Sequence, residues 1–80
     1  MSRGSAQDER KALFSRSLTG REREVLIWIA RGKSAREIGE ILSITKRTVD
    51  QHTQSASRKL GAINRAHAVA IALQDHIIEF

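Results

Sequence analysis

The sequence predicts an all-α domain of four helices joined by short turns. Three observations predict it. Apolar residues recur at three- and four-residue spacing, and no stretch alternates with period two. A residue suited to starting a helix (Thr19, Ser34, Thr45 and Asn64) stands before each periodic run. No proline interrupts any of the runs, and glycines at positions 32 and 61 stand where the first and third should stop.

The first helix opens at Thr19 with Glu22 three residues on, the pattern of a capping box. Val25, Leu26, Ile29 and Ala30 form its apolar face, Trp28 adds bulk to the core, and Gly32 ends it. Ser34 and Glu37 repeat the device for the second helix, whose apolar side is Ile38, Ile41 and Leu42. Ser43 and Ile44 make a tight turn. Thr45 caps the third helix, which runs to Leu60 and stops at Gly61. Asn64 caps a fourth helix through about Asp75, and a short tail, residues 76–80, follows. Residues 1–17 are polar and charged and read as a loose leader or linker, with a short helix expected at Asp8 to Phe14; residues 18–80 read as the domain.

Composition narrows the function. An 80-residue chain is one small domain, and without cysteine it has no disulfide or thiolate metal site to staple it. Neither a membrane-spanning apolar run nor a signal-peptide pattern is present, so a soluble cytoplasmic protein is expected. The formal net charge of +5 favours a polyanionic partner, nucleic acid first and an acidic membrane surface second. The aromatic residues are Phe14, Trp28 and Phe80 alone. Single-strand and RNA-binding modules stack bases on aromatic side chains, so this scarcity points to duplex DNA.

The third helix carries the functional reading. At about 100° per residue, Val49, Thr53, Ala56 and Leu60 fall on one narrow stripe. Arg47, Gln51, Gln54 and Arg58 fall almost opposite, with Asp50 beside them and Lys46 nearer the core, while Thr48, His52, Ser55 and Lys59 occupy the flank. Solvated helix faces tend to be laced with Glu–Lys pairs. This face instead carries amides, hydroxyls and guanidinium groups, which bond base edges and phosphates. A longer helix behind a shorter one, across a tight turn, is also the helix-turn-helix order, in which the second helix enters the major groove.

The run LTGREREVLIWIARGKSAREIGEILSITKRTVDQHTQSASRKLGAINRAHAVAIAL resembles the DNA-binding domain of LuxR-type transcription regulators, over about Leu18 to Ile78. REREVL, GKS, EIGEIL, RTVDQH, KLG and NRAHAVA carry the likeness by their order and spacing, and it is nearest to the quorum-sensing branch. The resemblance implies a four-helix LuxR-type helix-turn-helix domain with the third helix in the major groove. It also implies dimers packed through the fourth helix on inverted-repeat sites. Base contacts would fall on Asp50, Gln51 and Gln54. Thr48 and Lys59 would hold the phosphate backbone, with Lys46, Arg47 and Arg58 as further phosphate candidates. The chain departs from the family pattern at Gly20, where proline is frequent, at Gly39, where alanine is frequent, and at Asp50, where a basic residue is frequent. An acid near phosphates is repelled, so Asp50 should either accept from a cytosine amino group or orient a neighbouring arginine.

Other chemistries find little support. His52, His67 and His76 lack paired helical spacing for a metal, and His52 fits packing or a phosphate contact. Glu22 and Glu37 stand at capping positions rather than as an acid/base pair. Ser17, Ser34 and Ser43 have no general base in the pattern, and no glycine-rich phosphate loop occurs. No enzyme activity and no cofactor are expected in this chain; an acyl-homoserine lactone enters only if a sensor domain exists upstream. The fourth helix is apolar on more than one side. Ala68, Val69 and Ala72 suit the core, whereas Ala70, Leu73, Gln74 and Ile77 lie towards a second side suited to a partner subunit. The leading expectation is therefore a DNA-binding homodimer, with RNA polymerase as a further candidate contact. The alternative is a stand-alone interaction module that pairs with a full-length regulator and inhibits it.

Overall fold

The structure, a computed structural model, describes residues 18–79. The expected leader, its short helix at Asp8 to Phe14 and the last residue, Phe80, lie outside the described residues. Four helices follow in order: α1 (Gly20–Ala30), α2 (Ala35–Leu42), α3 (Lys46–Leu60) and α4 (Arg65–Gln74). Among the described residues there is no strand.

Each helix begins where its cap residue dictates. The Thr19 hydroxyl accepts from the Glu22 N–H at 3.0 Å, and the Glu22 carboxylate accepts from the Thr19 N–H at 2.9 Å. Ser34 and Glu37 reproduce this reciprocal pair at 3.1 and 2.8 Å. Thr45 accepts from the Thr48 N–H, and Asn64 from the His67 N–H. Two amide groups that would face water unpaired at each α1 and α2 start are thus satisfied. Gly61 ends α3 in the left-handed region (φ +69°), and the Ala62 N–H reaches back to the Ser57 carbonyl at 2.9 Å.

The joint between α2 and α3 is tight for two reasons. Ser43 adopts a left-handed conformation (φ +60°), and the Ile44 N–H closes on the Gly39 carbonyl at 2.9 Å. Gly39 itself leaves room for the turn. A methyl group there would lie 2.7 Å from the Ile44 carbonyl oxygen, so alanine would have to push the turn outward. The glycine thus lets the start of α3 approach α2 closely.

The core divides into two clusters that α1 joins. Val25 packs with Ala35 and Ile38 of α2 and Val49 of α3, bordered by Trp28, Leu42 and Ile44. The adjacent Leu26 faces the other way, into Leu18, Ala56, Leu60, Ala68 and Ala72. Helix α3 therefore runs over both clusters, with its first half held on α2 and its second half on α4. Two expectations need correction. Ile41 was assigned to the apolar side of α2, but it is 44% exposed, because the short helix meets the core through Ala35, Ile38 and Gly39. Ile77 was assigned to a second, partner-facing side. It is instead buried with Ile78 in the larger cluster. The left-handed His76 turns the chain back, and the N–H groups of Ile77 and Ile78 both bond the Ala72 carbonyl.

Candidate nucleic-acid interface

The seam that holds α3 down fixes what it presents. Val49, Ala56 and Leu60 are buried. The partly buried Thr53 satisfies its hydroxyl on the Val49 carbonyl at 2.9 Å. On the opposite side Arg47, Gln51, Gln54 and Arg58 are all exposed, and Thr48, Asp50, His52, Ser55 and Lys59 are partly exposed between the two. The helical wheel read from the sequence is thus the wheel that forms. Among the described residues, the Gln51 and Gln54 amides and the Arg47 and Arg58 guanidinium groups have no hydrogen-bond partner or counter-ion, so their donors and acceptors are free for a ligand.

The remaining candidates are committed to differing degrees. The Thr48 hydroxyl oxygen accepts from the Thr45 hydroxyl at 3.0 Å, which leaves its own hydrogen to donate. Lys46 Nζ lies 3.0 Å from Asp50 Oδ2, one helical turn on, so the neighbour that Asp50 engages is a lysine rather than an arginine. Lys59 reaches across to α1, where Nζ donates to both Glu22 carboxylate oxygens at 2.9 and 3.2 Å. This contact spans 37 residues of sequence, and no local spacing signals it. It also gives Glu22 a second task. Burial would raise the pKa of this 4%-exposed carboxyl. Hydrogen bonds from Ser55, Lys59 and the Thr19 backbone, with the Lys59 charge, outweigh that and hold it below the ordinary value. The exposed Glu37 is also held low, by the backbone and hydroxyl of Ser34 and by nearby Lys33.

Elsewhere, Trp28 borders the smaller core cluster with the Arg31 guanidinium 5.2 Å from its ring centre, a packing role rather than a ligand platform. On α4, Ala70 and Gln74 are exposed, whereas Leu73 leans partly buried on the larger cluster. Among the described residues no group of three or more His, Asp or Glu side chains is placed to hold a metal, and no helix is long and apolar enough to cross a membrane.

What α2, the turn and α3 build together is a helix-turn-helix unit, and a unit with this outward face is the DNA-binding part of a transcription regulator. The family described as "Bacterial regulatory proteins, luxR family" matches residues 16–72, and the chain belongs to that family. The chain is 61% identical over 64 residues to the transcriptional activator protein BjaR1 of Bradyrhizobium diazoefficiens, covering 80% of this chain and 26% of that protein. It is 51% identical over 72 residues to RpaR of Rhodopseudomonas palustris, an "HTH-type quorum sensing-dependent transcriptional regulator", covering 90% of this chain and 30% of that one. A similar likeness, 51% over 59 residues, links it to the transcriptional activator protein SolR of Ralstonia nicotianae, covering 74% of this chain and 25% of SolR. The chain thus spans about a quarter to a third of the length of these relatives. No solved structure matches it.

Proposed function

We propose that this domain binds double-stranded DNA sequence-specifically, with α3 in the major groove, and does so as a symmetric pair on inverted repeats. The observation that carries the reading is the uncommitted outward face of α3: Gln51 and Gln54, flanked by Arg47 and Arg58, opposite a buried seam that fixes its orientation. Gln51, Gln54 and Asp50 read base edges. Arg47, Arg58 and Thr48 bond phosphates. Lys46 and Lys59 stand on opposite flanks of that face and are already partnered by carboxylates, so they contribute less to phosphate binding than the free arginines.

Pairing runs through α4, where Ala70 is small and exposed and lets a second helix approach. The same face would serve a module that captures a full-length regulator, and an acyl-homoserine lactone would act on this domain only from a sensor domain upstream. In vitro selection of duplexes by the purified domain tests the main reading. Recovery of a palindrome with half-sites about one DNA turn apart is the expected result. Recovery of random sequence would remove it. Gln51→Ala should abolish the selected preference while leaving α4-mediated capture of a full-length regulator intact, which separates reading from capture.

A further inference from the structure

Beside the outward face of α3 lies an open groove of about 470 Å³ that base reading alone does not use. Ser57 and Arg58 of α3 form one side, and Ile63, Asn64 and Arg65 of the turn and the start of α4 form the other. Asp50 and Gln54 line it too, so it is continuous with the reading face. Its chemistry is mixed. Arg58 and Arg65 are exposed, and among the described residues neither guanidinium has a partner. In the same groove Ile63 stands 85% exposed, the most exposed large apolar side chain in the described structure.

The turn that carries Ile63 is fixed rather than loose. The Ile63 N–H donates to His67 Nδ1 at 3.1 Å, and the Asn64 side chain accepts from the His67 N–H at 2.8 Å. An isolated exposed isoleucine has no meaning by itself. One that shares a groove with two unpaired guanidinium groups matches a ligand whose surface alternates anionic and apolar patches. A DNA strand is such a ligand, with phosphates separated by deoxyribose rings. A duplex engaged by Gln54 also brings its backbone alongside the same helix.

We infer that this groove seats the sugar–phosphate strand flanking the bases that α3 reads. Arg58 and Arg65 bind phosphates, and Ile63 packs on a deoxyribose between them. The inference rests on the reading of α3 as the DNA-contacting helix and adds Ile63 and Arg65 to it.

The test measures duplex affinity against salt for the purified domain on its selected site, with thermal melting as a folding control. Arg65→Ala should weaken binding about threefold to tenfold, equally on all base variants of the site, and should lower the salt slope by about one. Ile63→Ser should weaken binding with the slope unchanged. In a scan of single methylphosphonate substitutions, one position that weakens the unaltered domain should be silent with Arg65→Ala. The inference is overturned if Arg65→Ala keeps full affinity and slope while Gln51→Ala still loses base preference; α3 would then read DNA without the groove. It is also overturned if Ile63→Ser spares DNA binding but reduces transcription in a purified system, since the occupant would then be a protein. Failure of the unaltered domain to select any site would remove the α3 reading itself, and the groove with it.

Discussion

Asp50 is the acid among the outward-facing residues of α3, and its contact with Lys46 is an exposed pair one helical turn apart. Such pairs stabilise a helix by only about 0.3–0.5 kcal/mol, so substitution of Asp50 should perturb folding little and tests its proposed role in recognition. A carboxylate accepts hydrogen bonds and donates none, which suits the amino group of cytosine and opposes the acceptor atoms of guanine. Asp50→Asn adds a donor and should move the preference at one position of the selected site from cytosine towards adenine. Asp50→Ala should erase the preference there without weakening overall affinity, because it removes an acid from beside the phosphates. Selection with each variant checks this, and an unchanged site bound more weakly would mean that Asp50 acts only by holding Lys46. Ser43 gives a folding test at the same scale. Its left-handed backbone suits glycine, so Ser43→Gly should raise stability by about 0.5–1 kcal/mol in thermal melts.

The first turn of α1 is wired to the last turn of α3 through Glu22 and Lys59. Glu22→Gln keeps an acceptor for the Thr19 N–H but removes the negative charge that faces the Lys59 ammonium, and should cost about 1–3 kcal/mol. The pH dependence follows from the direction of the shift. The folded carboxyl titrates below its ordinary value near 4.5, so its contribution is complete above that value and is lost as pH falls through the folded-state pKa. Glu37 acts in the same sense. Melting of the unaltered domain at pH 7 and pH 3 should therefore show an acid-induced loss that Glu22→Gln reduces. The capping half of this arrangement was legible in the sequence, because a cap and its answering glutamate lie three residues apart and depend on nothing else. The Lys59 half was not, because it exists only once α1 packs across α3. The same division holds elsewhere. The outward face of α3 follows from helical periodicity alone, whereas the groove at Arg65 needs the α3–α4 turn to set two helices side by side. The burial of Ile77 depends on the backbone reversal at His76, which breaks the helical period that placed it outside.

At the scale of the whole domain, two small core clusters share one helix, so damage to either propagates to α3. Ile78 lies in the larger cluster, and Ile78→Asp would bury an unpaired charge there; a domain this small has only a few kcal/mol of stability to lose. That variant should be largely unfolded by circular dichroism at 37 °C and should lose DNA binding for that reason alone. Ala70 allows a cleaner separation of assembly from folding. It is exposed on α4, next to neither core cluster, so Ala70→Glu should leave the melting temperature nearly unchanged. In a symmetric pair, however, the same residue meets its copy's surface, and the substitution would set two carboxylates against one another across the interface. Binding to a palindromic duplex should then lose its cooperativity and fall to the affinity of an isolated half-site, with the base preference within each half-site preserved. Titration of whole and half palindromes by the two proteins checks this. If Ala70→Glu still binds the palindrome cooperatively, pairing does not run through this face of α4. If it loses binding to half-sites as well, the residue acts on the fold or on DNA rather than on assembly.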